Sequence, residues 1–440
     1  MGFISRILNC FRKKRVVYQL QKVFTPTTYA ELSYKKRPEL ERRLKSAILQ
    51  PGMQVILYGH SQSGKSTLLH NVLKENNLLS ITSRCITNTT IDELILSAFD
   101  KLDVYYTDTT SDSYTYSLSS SLKSEYLAIS STINASVGEN HNEMRKRILP
   151  PQLTVQRLAD FIGEANCLWI IEDFHKVDHE EKVKLSQALK LFVDMANVYP
   201  NLKIIAVGAA DTGHEVVAYD NELSNRVAEI EVPLLSSPEI MEILNTGTKL
   251  LNIEFDNELK KNIIKNSNSL ATIVHQLAYN ICNENDIYNT VKNCIYFEEE
   301  VLNKSIETYV ANRKDTFKQL YKKITAQRSG RYRNVELILR AIVKLNSSEF
   351  IQHDILLKIC EKEPDYNPGN LSFYLKKLCS SECEEVLRQN MGRYSFSDPF
   401  FEAYIRMINR ISEHEESNVE TDVNTSDIIT ALNAFHFFSV

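Results

Sequence analysis

The chain has 440 residues, 43% hydrophobic and 24% charged, with a formal net charge of -5. That length predicts two or three domains, the apolar share excludes wholesale disorder, and the charge excludes a chain that is basic throughout. No apolar run approaches the roughly 18 residues of a spanning helix, and none of the 8 cysteines forms a CxxC, which argues against zinc ribbons and disulfide scaffolds and for a reducing cytoplasm.

At the N-terminus Phe3, Ile4, Ile7, Leu8 and Phe11 share one helical face, and Arg12, Lys13, Lys14 and Arg15 follow. A secretion signal would place the charges first, and Arg6 stands where a myristoylation motif wants Ser or Thr. Residues 1–16 are expected to form a basic amphipathic helix that packs on its own domain, docks on a partner, or contacts a membrane surface. Gln54–Tyr58 then reads as an apolar strand, followed by a glycine- and serine-rich turn and a helix carrying Leu68, Leu69 and Val72. A strand is predicted near Leu79–Cys85, then a helix opened by a Thr90/Glu93 capping box. Further helices are predicted at Leu153–Gly163 and Glu180–Val198, and strands at Cys167–Ile171, Ile204–Val207 and Val227–Val232. Short apolar strands alternating with helices predict an α/β fold with a parallel sheet covered on both faces. Residues 103–150 interrupt it: they open on a Ser-, Thr- and Tyr-rich stretch whose period-two alternation suggests an inserted β-hairpin, with a flexible polar loop as the alternative.

Beyond Leu235 the pattern becomes helical. Ser237-Pro238 opens one helix, Leu259–Ile264 and Ala271–Ile281 continue, and a long helix is predicted from Glu298 to Lys323. Val335–Leu345, Ile351–Cys360 and Leu371–Cys379 predict three short helices before a hairpin turning at Asn390-Met391-Gly392, the pattern of a winged helix. Residues 413–440 are expected to be an acidic, flexible tail.

Gly59-His60-Ser61-Gln62-Ser63-Gly64-Lys65-Ser66 fits GxxxxGK[ST] between a strand and a helix, the setting that a phosphate loop requires. Glycine lets the backbone wrap a phosphate, and amides from Ser61 through Ser66 and Thr67 face the positive end of the helix. Lys65 can bridge β- and γ-phosphates, and the Ser66 hydroxyl can coordinate Mg²⁺. Leu168–Ile171 leads into Glu172 and Asp173, two carboxylates at a strand end. One can hold the water shell of Mg²⁺ and the other can orient the attacking water, the alternative being an ordinary acidic loop.

Over residues 24–410 the chain resembles AAA+ ATPases of the branch holding origin-recognition-type initiators and STAND switch ATPases. The resemblance implies a P-loop AAA+ core at 17–234, a helical lid at 235–312, and a basic helix with a winged helix at 313–412. Tyr34-Lys35-Lys36-Arg37-Pro38-Glu39-Leu40 resembles the segment that packs near the adenine, which gives Arg37 a cofactor-binding role. Glu172-Asp173 stands where family members commonly have Asp then Glu, so the metal contact falls to either residue. Asp211 or Thr212 resembles the polar residue that senses the γ-phosphate, or caps a helix. Arg226 resembles an arginine finger directed at a neighbouring copy, or forms a surface salt bridge. The lid segment Ser267–His275 lacks the expected arginine, leaving His275 as a lid sensor or a core histidine.

Arg313, Lys314, Lys318, Lys322, Lys323, Arg328, Arg331 and Arg333 face one acid, Asp315, in a run suited to a DNA backbone, a partner, or solvent. In the winged helix proper acids and bases almost balance, and Lys376-Lys377 is its one adjacent basic pair. The function expected is an ATP- and Mg²⁺-dependent switch that self-associates and acts with a separately encoded effector, DNA or both, as in an antiviral defence or mobile-element system. The alternative is a DNA-binding replication or transposition initiator.

Overall fold

The computed structural model describes residues 16–102, 154–209, 223–312, 316–326 and 333–415. The expected N-terminal helix, inserted hairpin and acidic tail lie outside these residues, apart from Glu413–Glu415, which complete the last helix. The chain divides into two compact units: 35–234, and 1–34 together with 235–440.

The first unit is built on a five-stranded sheet in the order β2-β3-β4-β1-β5, all neighbours parallel. Its strands are β1 Gln54–Tyr58, β2 Ser80–Arg84, β3 Leu168–Glu172, β4 Lys203–Val207 and β5 Val227–Glu231. β1, β3 and β4 lie inside the sheet and are apolar on both faces, as helices on both sides demand. Trp169 is fully buried in β3 and donates from Nε1 to Ser83 Oγ at 3.0 Å. The capping box forms as predicted: Glu93 N–H donates to Thr90 Oγ1 at 3.2 Å and Thr90 N–H to Glu93 Oε2 at 2.9 Å. The helix predicted to reach Val198 ends at Asp194 and passes into a 3₁₀ turn, Met195–Asn197. At the opening of β4, the Lys203 ammonium is buried and donates to the Gln50 carbonyl. Burial alone pulls its pKa down to about 8.

The second unit corrects one expectation. Residues 17–34, assigned from sequence to the nucleotide core, pack into the helical unit. Leu20 N–H donates to the Tyr288 carbonyl at 2.8 Å, and Thr25 N–H to His275 Nδ1 at 3.1 Å. Phe24 is fully buried against Gly247, where a Cβ would stand 2.4 Å from its ring. Helices Ser237–Leu251, Asn257–Ser267 and Ala271–Glu284 follow, with a short parallel pair, β6 Ile253–Phe255 and β7 Ile295–Phe297. The single helix predicted over Glu298–Lys323 is described as two, Val301–Asn312 and Thr316–Thr325, with 313–315 outside the described residues.

Helices Asn334–Leu345, Gln352–Cys360 and Pro368–Leu378 then pack with an antiparallel sheet, β8-β10-β9 (β8 Phe350–Ile351, β9 Leu387–Asn390, β10 Arg393–Phe396). The β9–β10 turn puts Met391 at φ 47° and Gly392 at φ 79°, the paired positive angles of a tight hairpin. A last helix, 399–415, lays Phe401 and Tyr404 against Phe317. Its Arg406 grips the Val343 carbonyl and Asn346 while pairing with buried Glu402. Among the described residues no helix is long and apolar enough to cross a membrane.

Candidate nucleotide site

β1 lies where the strand order reverses, with β4 on one side and β5 on the other. In such sheets the crevice beyond the strand ends at that point receives a ligand. Tyr58 ends β1, and Gly59 opens the loop at φ 148°. A Cβ at Gly59 would stand 2.3 Å from the Val232 carbonyl oxygen, so no side chain fits there. Gln62 at φ 64° and Gly64 at φ 91° turn the chain, and Gly64 caps the helix Lys65–Glu75. The first amides of that helix, at Lys65, Ser66 and Thr67, have no intrahelical acceptors and sit at its positive end. Ser63 Oγ is buried and finds no hydrogen-bond partner among the described residues. Left-handed turns, free helix amides and an unmatched hydroxyl fit an anion.

The Lys65 ammonium donates to the Gly59 carbonyl at 2.9 Å and the His60 carbonyl at 2.7 Å, across the loop's own mouth. Burial lowers its pKa, while Glu172 and Asp173 act in the opposite direction. The Ser66 hydroxyl donates to Glu172 Oε2 at 3.1 Å. Burial raises the Glu172 pKa, against the Ser66 hydrogen bond and the charges of Arg84 and Lys65. A hydroxyl and a desolvated carboxylate beside a phosphate cradle fit Mg²⁺, which is held by one or two protein oxygens and otherwise by phosphate and water.

The two carboxylates proposed for the metal are thus separated. Glu172 is the residue brought to Ser66, whereas Asp173 adopts φ 60° and directs Oδ2 to the Lys176 ammonium at 2.9 Å. Arg84 and His175 were not among the candidates. Arg84 is in register with Glu172 across β2 and β3, a position inferable once the two strands are seen as neighbours. His175 buries an Nδ1 that has no partner among the described residues, and burial lowers its pKa. No pattern in the sequence marks that atom.

Asp211 and Thr212 fall outside the described residues. Arg226 precedes β5 at the end of the sheet away from Gly59, in register with the start of β1. It forms a half-exposed ion pair with Asp194 at 3.5 Å. That position is at the opposite end of the strands from the phosphate loop of its own chain. Arg37 is buried and donates from Nη1 to the Pro233 carbonyl at 2.9 Å. His275 is fully buried, accepts from Thr25 and has its pKa pushed down to about 4, so it is a neutral core histidine.

The sheet order settles the fold. β4 separates the strand entering the phosphate loop from the strand ending in Glu172, and β5 closes the far side of β1. The sheet and its loop match a P-loop α/β fold of the AAA+ type. No protein-family model and no curated protein matches the chain. Among solved structures it is similar to the Walker-type ATPase PABY2304 of Pyrococcus abyssi, 17% identical over 85% of this chain and 96% of that one, TM-score 0.48. It is similar to the ORC2 protein of Aeropyrum pernix, solved as ADPNP–ADP complexes, at 14% identity over 90% and 98%, TM-score 0.44. Cdc6p of Pyrobaculum aerophilum is 13% identical over 91% and 99%, TM-score 0.42.

Proposed function

We propose that the chain binds and hydrolyses ATP with Mg²⁺, as an AAA+ switch that couples nucleotide state to self-association and to a partner protein, DNA or both. One observation carries this reading: the Lys65 ammonium and the Ser66–Glu172 pair converge at the mouth of one phosphate loop. The amides of residues 61–67 and Lys65 would hold the phosphates, and Ser66 with Glu172 would hold Mg²⁺. The ion would neutralise charge on the β- and γ-phosphates. Asp173 would orient the attacking water, Asp211 or Thr212 would face the γ-phosphate, and Arg226 would serve a neighbouring copy.

Phosphate release and ATP binding by Asp173→Asn and Glu172→Gln test these roles. D173N is expected to keep Mg²⁺-dependent binding and lose turnover by roughly 100-fold or more. E172Q is expected to lose the dependence of binding on Mg²⁺. Wild-type turnover in D173N, or unaltered Mg²⁺ dependence in E172Q, would contradict the assignment.

The initiator reading has one observation in its favour. We read the helices and sheet at 334–396 as a winged helix whose Pro368–Leu378 helix exposes Phe373 (63%) beside Lys376, while the β9–β10 tip exposes Met391 (99%) near Arg388 and Arg393. An apolar and basic surface of this kind suits a nucleic-acid groove. Duplex DNA binding that weakens steeply between about 50 and 200 mM salt, and weakens further in K376A/R388A, would support it. Salt-independent or absent binding would leave a protein partner.

A further inference from the structure

The chain passes between its two units at Tyr34–Lys35 and again at Leu234–Leu235. Just inside the sheet unit, the Arg37 side chain joins the two passages. Arg37, 8% exposed, donates from Nη1 to the Pro233 carbonyl at 2.9 Å, fastening the incoming chain to the outgoing one. Its own backbone is fixed at the head of the helix Pro38–Leu49: Arg37 N–H donates to Glu41 Oε1 at 3.0 Å, and Glu41 N–H to the Arg37 carbonyl at 2.9 Å. A buried guanidinium is stable only where its donors are met, so the bond to Pro233 holds the side chain as well as the loop.

The outgoing chain is laid directly on the phosphate loop. Val232 N–H donates to the Tyr58 carbonyl at 2.8 Å. Gly59 approaches so closely that its absent Cβ would lie 2.3 Å from the Val232 carbonyl oxygen. The two backbones pack closely enough to leave no room for a methyl group, so a change in backbone angle at Gly59 bears on Val232–Pro233. Pro233 stiffens this stretch, because its ring fixes its own φ and restricts Val232 before it. From there the displacement meets Arg37, and through it the first passage.

We propose that Arg37 is a positioning residue that staples the two passages together, so that nucleotide binding at Gly59–Ser66 is transmitted through Val232–Pro233 to the helical unit. The proposal rests on the nucleotide reading above. It replaces the adenine contact expected for Arg37 with a structural coupling role. Two fastened passages bend as one hinge, whereas two separate ones would absorb the displacement independently. In this account Arg37 contributes little to nucleotide affinity and much to the response of the helical unit.

Amide hydrogen exchange of the full chain, with and without Mg²⁺ and ATP, tests it. In the wild type, nucleotide is expected to slow exchange both at 59–66 and in the helical unit at 20–33 and 237–251. Arg37→Ala is expected to keep the slowing at 59–66, with ATP affinity within about threefold of wild type, and to lose it in the helical unit; a coupling of this kind is typically worth roughly 5- to 150-fold. Arg37→Lys, which can still donate to the Pro233 carbonyl, should restore part of the response. Pro233→Gly keeps the acceptor but frees the backbone, and should weaken the response with Arg37 intact, which covers the case in which R37A fails to fold. Loss of ATP affinity in R37A with the helical response preserved at saturation would overturn the staple and restore the adenine contact. A wild-type helical response in both R37A and P233G would overturn it as well. Slowing at 59–66 without any in the wild-type helical unit would overturn the coupling alone, whereas no slowing at 59–66 would overturn the nucleotide reading and the staple with it.

Discussion

Gly59 and Gly64 both belong to the phosphate loop and both have positive φ, yet their replacement by alanine should cost different amounts. At Gly59 the new methyl would stand 2.3 Å from the Val232 carbonyl oxygen and 3.2 Å from Ser63 Oγ, at φ 148°. Backbone cannot swing away as a side-chain tip can, so overpacking of about 1–3 kcal/mol adds to about 1–3 kcal/mol of backbone strain. At Gly64, φ 91°, nothing lies within 4 Å of the new methyl, leaving strain alone, about 1–2 kcal/mol. G59A should therefore lose roughly 2–6 kcal/mol, a large part of a typical domain stability of about 5–15 kcal/mol. The chain has 1 tryptophan, Trp169, and it is buried in β3 of the same sheet, so its fluorescence reports unfolding of this unit. With a urea dependence of about 1–3 kcal/mol per molar, a loss of about 3 kcal/mol moves the midpoint down by roughly 1–3 M. Equal losses in the two variants, or a G59A midpoint indistinguishable from wild type, would refute the close approach of Gly59 to Val232.

Three further outcomes follow from other residues. Lys203, with its pKa drawn down to about 8, gives up its proton above about pH 8 in the folded state while the unfolded amine keeps it to about 10.4, so stability should rise with pH across that window by about 3 kcal/mol; Lys203→Met should flatten the rise in urea titrations, and an unchanged slope would contradict the burial. His275, held near 4, stays neutral as the unfolded imidazole takes up a proton below about 6.5, so stability of the helical unit should fall between about pH 6.5 and 4 by up to about 3 kcal/mol; circular dichroism melts of His275→Gln should show that loss removed. Lys65→Ala and Arg226→Ala should each lack turnover alone and regain part of it when mixed, because the first supplies Arg226 to the intact phosphate loop of the second; no recovery on mixing would argue against a finger acting between copies.

The sheet was legible because its signals are local. Apolar runs such as Val55–Leu57 and Ile204–Val207 show strands buried on both faces, and the glycines around Lys65 show the turn that must follow one. The Thr90 cap was equally local. What escaped depends on conformation or on distant partners. Glu172 and Asp173 look interchangeable as letters, and only the left-handed angle at Asp173 sends one to Ser66 and the other to Lys176. Residues 17–34 join the helical unit because Phe24 fits over Gly247, far along the chain. Arg37 matched a motif, but its partner is the Pro233 carbonyl, and a backbone acceptor leaves no trace in residue type.

The central claim is that Gly59–Ser66 is a nucleotide site. Calorimetric titration of the full chain with ATP and Mg²⁺ tests it most directly, comparing wild type with Lys65→Ala. One saturable site is expected, weakened roughly 10- to 100-fold in K65A through loss of a charged hydrogen bond to phosphate. Equal binding by both proteins, or none by the wild type, would contradict it.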